Sequence, residues 1–179
     1  METVLVTGFN GFIGSHLIPQ LIQKYNVVGL STSKNSQLKI SQIKTDITKI
    51  DKKILPSKIS KIIHLAAISD VDFCQKNPLD ASHINILGTQ KILELARKHD
   101  SQVVFISTSH VFGSQKTNPI DECCQKNPTS IYAATKLAGE SLCESYSNSY
   151  GLNIGVMRLF SVYGPNSPKH SVTTNIIKQ

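Results

Sequence analysis

Short apolar runs alternate along the chain with longer segments in which apolar residues recur three and four positions apart. The short runs are typical of strands buried on both faces, and the longer segments are typical of amphipathic helices. Pro19 inside the first helical segment is expected to bend it or to cost one hydrogen bond. The pattern predicts strands over 3–7, 26–31, 41–47, 61–67, 102–108 and 153–160, and helices over 11–25, 78–99 and 129–151.

This alternation predicts the architecture. Strands separated by helices form βαβ units with right-handed crossovers, which build a parallel sheet. The expected fold is therefore α/β, a doubly wound parallel sheet of the Rossmann type, formed by one domain over 1–179. Such sheets bind ligands at the carboxyl ends of their strands. Four residues lie at or directly after the carboxyl ends of predicted strands: Gly8, Asp46, Ala66 and Thr108.

A glycine-rich loop joins the first strand to the first helix. Gly8, Gly11 and Gly14 form a G-x-x-G-x-x-G pattern. Glycines at such a junction allow a tight turn, close approach of a pyrophosphate and close packing of helix on strand. The helix N-terminus adds amide donors and the positive end of a dipole. An ordinary glycine-rich turn is the alternative, but the strand–loop–helix context favours dinucleotide binding.

Composition and charge restrict the partners. The 179 residues are 40% hydrophobic and 17% charged, with a net charge of +7. The lysines are dispersed and form no basic block with interleaved aromatic residues, so no nucleic-acid partner is expected. The basic surface is interpreted as solvated, with attraction of an anionic small substrate as a second use.

The chain also has no feature that indicates a membrane or a metal. No apolar run is long enough to span a bilayer, and the N-terminus has no signal-peptide pattern, which predicts a cytoplasmic protein without a membrane partner. The four cysteines form no C-x-x-C pair, so we expect free thiols and no metal site.

Six further motifs follow the glycine loop. They are TDI (45–47), HLAA (64–67), NILGT (85–89), ST (107–108), YAATK (132–136) and RLFSVYGP (158–165). With that loop, and in this order, they resemble the extended short-chain dehydrogenase/reductase family, of the NAD-dependent epimerase/dehydratase type. The resemblance implies an NAD(P)-binding Rossmann domain and hydride transfer on a nucleotide sugar.

The resemblance implies a set of cofactor contacts. Asp46 and Ile47 would contact the adenine, although Asp46 could instead simply form a turn. His64 is expected to be structural. The implied cofactor-binding residues are Gly8, Asn10, Gly11, Phe12, Ile13, Gly14, Ser31, Lys34, Asp46, Ile47, Leu65, Ala66, Ala67, Tyr132, Lys136, Phe160 and Val162.

The end of the second predicted strand bears on the choice between NAD and NADP. An acid there would hold the adenosine ribose of NAD, but this chain has Ser31. The missing carboxylate removes repulsion against a 2′-phosphate, and Lys34 could attract one or merely face solvent. The expected cofactor is NAD(P), with NADP favoured.

Tyr132 and Lys136 lie one helical turn apart and form the expected catalytic pair. The Lys136 ammonium and a positive nicotinamide would lower the pKa of the Tyr132 phenol, so that it can exchange a proton with the sugar. Thr108 takes the family's hydroxyl position and would bond the reacting oxygen. Ser107 and Ser109 are expected to be structural. Asn85 could bridge backbone or serve catalysis.

The reaction type stays open at this point. Ser109 and His110 stand where 4,6-dehydratases carry Asp-Glu, which argues against water elimination. STSHVF partly resembles the dTDP-4-dehydrorhamnose reductases, whereas SIYAATKLAGE and RLFSVYGP resemble epimerases. A nucleotide-sugar epimerase is favoured. The alternatives are a nucleotide-sugar 4-keto reductase and a non-catalytic dinucleotide-binding module.

Two further expectations follow from the resemblance. Most of the family's substrate domain follows its YGP segment, so the chain is expected to be a fragment that lacks most of this domain and has little activity by itself. Relatives dimerise through two helices per subunit, which makes the segments 78–99 and 129–150 the candidates for a homodimer.

Overall fold

The computed structural model describes residues 1–115 and 118–167. Within these residues a parallel sheet of six strands has the order β3-β2-β1-β4-β5-β6, so the chain starts in the middle and builds outwards in both directions. The predicted doubly wound α/β fold is confirmed. The strands are β1 (Thr3–Thr7), β2 (Asn26–Ser31), β3 (Ser41–Lys44), β4 (Lys61–His64), β5 (Gln102–Thr108) and β6 (Ile154–Leu159).

The two faces of the sheet are both covered, as the apolar runs indicated. In β1 the side chains alternate, and Leu5 belongs to the core cluster on one face while Val4 and Val6 belong to the cluster on the other. Phe105 in β5 lies in the same cluster as Leu5. The outermost strand, β6, is mostly exposed.

The helices follow the predicted order with three differences. The long segment 78–99 is helical throughout but contains a π-helical turn over His83–Leu87, and a short helix before it was not predicted. The first helix ends at Leu21, shortly after Pro19. The helices are α1 (Phe12–Leu21), α2 (Val71–Lys76), α3 (Pro78–Ser82), α4 (Gly88–His99) and α5 (Ile131–Tyr150).

Local capping sets where α5 begins and ends. Ser130 accepts a hydrogen bond from the Ala133 amide at 3.2 Å, which satisfies one of the free donors of the first turn. Gly151 adopts φ +69°, the left-handed conformation that ends helices, as its position in the sequence predicted. These caps fix the helix that carries Tyr132 and Lys136.

Residues 45–47 and 65–67, predicted as strand, instead leave the sheet. Asp46 accepts hydrogen bonds from the Thr48 amide and begins a 3-10 turn over Ile47–Lys49. Within the described part of the chain, no helix is long and apolar enough to cross a bilayer and no cluster of His, Cys, Asp or Glu could hold a metal ion. The last residues of the predicted domain, 168–179, lie outside the described residues.

Candidate functional site

A cavity of about 670 Å³ opens at the carboxyl ends of the strands. Its wall contains all but two of the residues that the sequence analysis selected. The exceptions are Asn10 and Lys34. The selected residues in the wall are Gly8, Gly11, Phe12, Ile13, Gly14, Ser31, Asp46, Ile47, Leu65, Ala66, Ala67, Thr108, Tyr132, Lys136, Phe160 and Val162.

The glycine loop forms one wall through its backbone. Gly8 has φ +68°, and a Cβ there would lie 2.8 Å from the Ala66 amide nitrogen, so the position requires glycine. Gly11 precedes α1 in an extended conformation, and no side chain of the described residues caps this helix. The first amides of α1 therefore remain available to an anion such as a pyrophosphate.

The wall at the β2 and β3 ends has one carboxylate among its described residues, that of Asp46. Burial acts to raise its pKa, but hydrogen bonds from Thr48 and the charge of Lys49 outweigh burial and leave the pKa below its usual value. Asn10 donates to the Ser33 hydroxyl at 2.8 Å, which ties the glycine loop to the segment after β2. Lys34 in this segment is exposed.

The opposite wall brings together Thr108, Tyr132 and Lys136. Thr108 ends β5, and its hydroxyl acts to lower the pKa of the Tyr132 phenol. The Lys136 side chain is only 4% exposed, and its Nζ lies 4.2 Å from the centroid of the Phe105 ring. A hydroxyl, a phenol and an ammonium group thus converge on one end of the cavity, where they can exchange protons with a bound hydroxyl or carbonyl.

Burial controls the protonation of this group. It lowers the pKa of Lys136 to about 8, although the nearby Cys143 and Glu140 act in the opposite direction. It raises the pKa of Tyr132, partly offset by the hydrogen bond with Thr108. The expectation that the Lys136 charge lowers the pKa of Tyr132 is therefore not met by the protein alone, because burial is the larger effect.

His64 lies buried behind this wall in one defined tautomer. The Thr89 hydroxyl donates to the Asn85 carbonyl at 2.6 Å, so its oxygen accepts the hydrogen from His64 Nε2 in their 3.1 Å contact. His64 Nδ1 then accepts from the Thr7 hydroxyl at 2.7 Å. The Ala66 amide donates to that same Thr7 oxygen at 3.1 Å. These bonds hold the end of β4 against β1 and require a neutral imidazole.

Asn85 extends this network to helix α5. Its Nδ2 donates to the Ile68 carbonyl and to Thr135 Oγ1, both at 3.0 Å, and its Oδ1 accepts the Ile68 amide hydrogen at 2.8 Å. Thr135 donates to the Tyr132 carbonyl at 2.8 Å. Asn85 lies within the π-helical turn and is buried. Of the two roles left open for Asn85, this geometry is that of a backbone bridge.

The His64 network makes stability depend on pH. Burial, with a contribution from the Lys136 charge, lowers the pKa of His64 to about 3 from 6.5. Unfolded chains take up this proton first as the pH falls, so the stabilisation is full above pH 6.5 and declines towards pH 3. Between pH 7 and pH 5 the free energy of unfolding is expected to fall by about 2 kcal/mol on this account.

Urea unfolding of the wild type and of His64→Gln at the two pH values measures this contribution. The glutamine retains a donor and an acceptor but does not titrate, so the variant is expected to lose most of the pH dependence in this range. An equally steep dependence in the variant would mean that other groups cause it.

The sequence analysis left His110 outside the site, but the structure places it in the cavity wall. Its ring meets that of Tyr132 edge-on, with the centroids 6.0 Å apart. Its amide donates to Thr108 Oγ1 at 3.2 Å, which begins a 3-10 turn and fixes the Thr108 hydroxyl. In the sequence, this position is distinguished only by the absence of the Asp-Glu pair of the 4,6-dehydratases. That absence does not indicate where the His110 imidazole lies.

A family model described as the NAD dependent epimerase/dehydratase family matches residues 4–179. The chain belongs to this family. Among curated members, an uncharacterized UDP-glucose epimerase, YtcB, from Bacillus subtilis is 37% identical over 98% of the chain, which covers 61% of that protein. The chain thus spans less than two thirds of its relative's length.

Solved structures of epimerases have the same fold. A UDP-N-acetylglucosamine 4-epimerase from Methanobrevibacter ruminantium superimposes with a TM-score of 0.91 at 32% identity, covering 99% of this chain and 62% of that one. A UDP-glucuronic acid 4-epimerase from Bacillus cereus, solved in complex with NAD, gives 0.88 at 33% identity, with the same coverage. The glycine loop and the Tyr132–Lys136 pair of this family member therefore lie in a fold that relatives use with NAD.

Proposed function

We propose that the chain is the cofactor-binding part of an NAD(P)-dependent nucleotide-sugar 4-epimerase. The observation that carries the proposal is the joint geometry of one cavity. An uncapped helix N-terminus after a glycine loop forms one wall, and Thr108, Tyr132 and Lys136 form the opposite wall. The first fits a pyrophosphate and the second fits the reacting end of a dinucleotide and its substrate.

The relatives support the substrate class. They are named as UDP-glucose, UDP-glucuronate and UDP-N-acetylglucosamine epimerases. A UDP-sugar carries two phosphates, which suits a protein with a net charge of +7. We therefore expect a UDP-hexose or UDP-hexuronate as substrate and epimerisation at C4 as the reaction.

Each residue of the reacting end has a distinct role in this proposal. Tyr132 takes the proton from the C4 hydroxyl while the hydride moves to the nicotinamide, and it returns the proton when the hydride comes back on the other face of the sugar. Thr108 donates a hydrogen bond to the same oxygen. Lys136 holds the nicotinamide ribose, and its positive charge favours the phenolate form of Tyr132.

The adenine end of the proposed site favours NADP over NAD. Ser31 and Thr32 line the cavity with hydroxyl groups at the end of β2, and neither carries a charge that would repel a 2′-phosphate. Lys34 is exposed outside this wall, so its effect would be a screened attraction. Three solved relatives are complexes with NAD, so the affinities of this chain for the two cofactors are compared directly.

The wild-type chain is expected to bind NADPH more tightly than NADH. Ser31→Asp is expected to bind NADH more tightly than NADPH, by roughly tenfold or more, because the new carboxylate repels the 2′-phosphate. Calorimetric titration with both reduced cofactors measures this. Ser145→Asp, on an exposed position of α5, adds the same charge elsewhere and should leave the order unchanged. Tighter binding of NADH by the wild type would contradict the preference.

Turnover tests the reaction itself. We expect little or no turnover of UDP-sugars by the 179-residue chain, because catalysis requires the sugar to be held against the nicotinamide and Tyr132. A hybrid that joins the C-terminal remainder of the Bacillus subtilis relative to this chain supplies that binding surface. It should interconvert the C4 epimers of UDP-glucose or UDP-glucuronate, detected by chromatography. Net reduction of a 4-keto sugar without epimerisation would favour the reductase instead.

A further inference from the structure

Glu140 is a buried acid for which the proposed reaction has no use. It lies on α5, one helical turn beyond Lys136, and is 5% exposed. A charge so far out of water is costly unless partners compensate it. The groups that surround the Glu140 carboxylate therefore indicate its role.

Three parts of the chain converge on this carboxylate. Arg158 of β6 binds it in a bidentate manner, with Nε and Nη2 each 2.9 Å from a carboxylate oxygen. The Ser107 hydroxyl of β5 donates to Oε1 at 2.5 Å. Lys126, in the segment before α5, has its Nζ 3.6 Å from Oε2. Burial acts to raise the pKa of Glu140, but the bonds from Arg158 and Ser107 outweigh burial, so the carboxylate stays ionised.

Two consequences bear on the candidate catalytic group. Ser107 directly precedes Thr108, so its bond to Glu140 ties the strand end that carries Thr108 to the helix that carries Tyr132 and Lys136. Glu140 also places a negative charge near the Lys136 ammonium, which burial alone would drive towards the neutral form.

The other groups that face Lys136 cannot supply this charge. Cys143 on the same helix also acts to raise the pKa of Lys136, but its thiol carries no charge, because burial raises its own pKa to about 12. His64 of β4 is neutral, because burial lowers its pKa to about 3. Phe105 of β5 presents only its ring face, and Tyr132 has a raised pKa. Among the described residues, Glu140 is the ionised group that compensates the buried ammonium.

We propose that Glu140 is a positioning residue of this site, which fixes Thr108 relative to Tyr132 and Lys136 and keeps the buried Lys136 ammonium protonated. The inference rests on the proposed function for the role of Lys136. A purely structural brace would need only the geometry of the cluster, whereas this role also needs the sign of its charge.

The titration of Lys136 separates the two roles. NMR of the chain labelled with ¹³C-lysine follows the carbon next to Nζ, and Lys136→Arg assigns the signal. Glu140→Gln should lower the titration midpoint of Lys136 by roughly half a unit to one unit, and Arg158→Gln should raise it. Ser107→Ala keeps every charge and should leave the midpoint unchanged.

Simple loosening of the structure predicts a different pattern. Water that reaches Lys136 would move its midpoint upwards, towards 10.5, in both charge variants. An unchanged or raised midpoint in Glu140→Gln would therefore overturn the proposal. If that variant does not fold, Arg158→Gln is compared with the Glu140→Gln/Arg158→Gln double variant, which removes both members of the buried ion pair and should titrate at lower pH than the single variant.

The same samples distinguish this inference from the proposed function. Dinucleotide binding is measured on each of them by calorimetry. Absence of dinucleotide binding by the wild type, together with the expected shifts in the Lys136 titration midpoint, would contradict the proposed function. It would not contradict the effect of the Glu140 charge on Lys136. A wild type that binds, with no downward shift in Glu140→Gln, would contradict the role of Glu140 alone.

Discussion

Gly11→Val is expected to abolish dinucleotide binding. Gly11 is exposed at the N-terminus of α1, where a pyrophosphate would approach the first amides of the helix. A Cβ there already lies 3.2 Å from the Gly8 carbonyl oxygen, and the two methyl groups of valine would extend over the amides. We expect affinity to fall by about 100-fold or more, or about 2.8 kcal/mol, in a calorimetric titration.

The matched control is Gly155→Val. Gly155 lies on the exposed strand β6, and a Cβ there has no neighbour within 4 Å. This variant should bind the dinucleotide as the wild type does. Thermal unfolding checks that both variants remain folded. Equal affinity in the wild type and a folded Gly11→Val variant would show that no phosphate lies against this loop.

Tyr132→Phe is expected to lower kcat of the hybrid epimerase by about 10²–10⁴-fold, the range associated with loss of a general acid–base group. The variant removes the proton acceptor but keeps the ring, so cofactor affinity should change little. Thr108→Val should have a smaller effect, because it removes a hydrogen bond and leaves the acceptor in place. Rates are compared at saturating cofactor and substrate.

Tyr150→Phe provides the control on the same helix. Tyr150 is exposed at the far end of α5 and packs on Tyr146 and Arg97. Its loss should leave kcat unchanged. A Tyr132→Phe variant that retains most of the wild-type kcat would assign the proton transfer to another group, and His110, beside the Tyr132 ring, would be the first to examine.

The strands of the sheet could be predicted because most of them are buried on both faces, which makes them continuous apolar runs. The same criterion failed at two strand ends. Ile47 and the segment after His64 are apolar, but they leave the sheet and line the cavity. Apolar residues at those positions line the cavity, and a hydrophobic pattern does not distinguish such residues from those of a longer strand.

Helical spacing located the long helix over 78–99 but not the π-helical turn inside it. Five residues are too few for their spacing to show which hydrogen-bond pattern a turn has. The bonds that Asn85 in this turn makes go to Ile68 and Thr135, which are distant in sequence. Helix α2 was missed because its six residues are too few to show a period.

The sequence predicted the residues that line the cavity better than those that support them. The glycine loop and the Tyr132–Lys136 pair are local patterns with a stated chemistry. In the sequence, Glu140 is indistinguishable from any other polar residue of an amphipathic helix. Its partners Arg158 and Ser107 lie on two separate strands. Such convergence follows from the order of strands in the sheet and is visible only after folding.

The most direct test of the account is a crystal structure of the chain grown with an excess of NADP or NAD. We expect one dinucleotide to lie across the carboxyl ends of the strands. Its adenine should lie by Asp46 and Ile47, its pyrophosphate on the first amides of α1, and its nicotinamide ribose within hydrogen-bond distance of Tyr132 and Lys136. A cavity that stays empty at saturating cofactor, or a dinucleotide bound with its two ends exchanged, would contradict it.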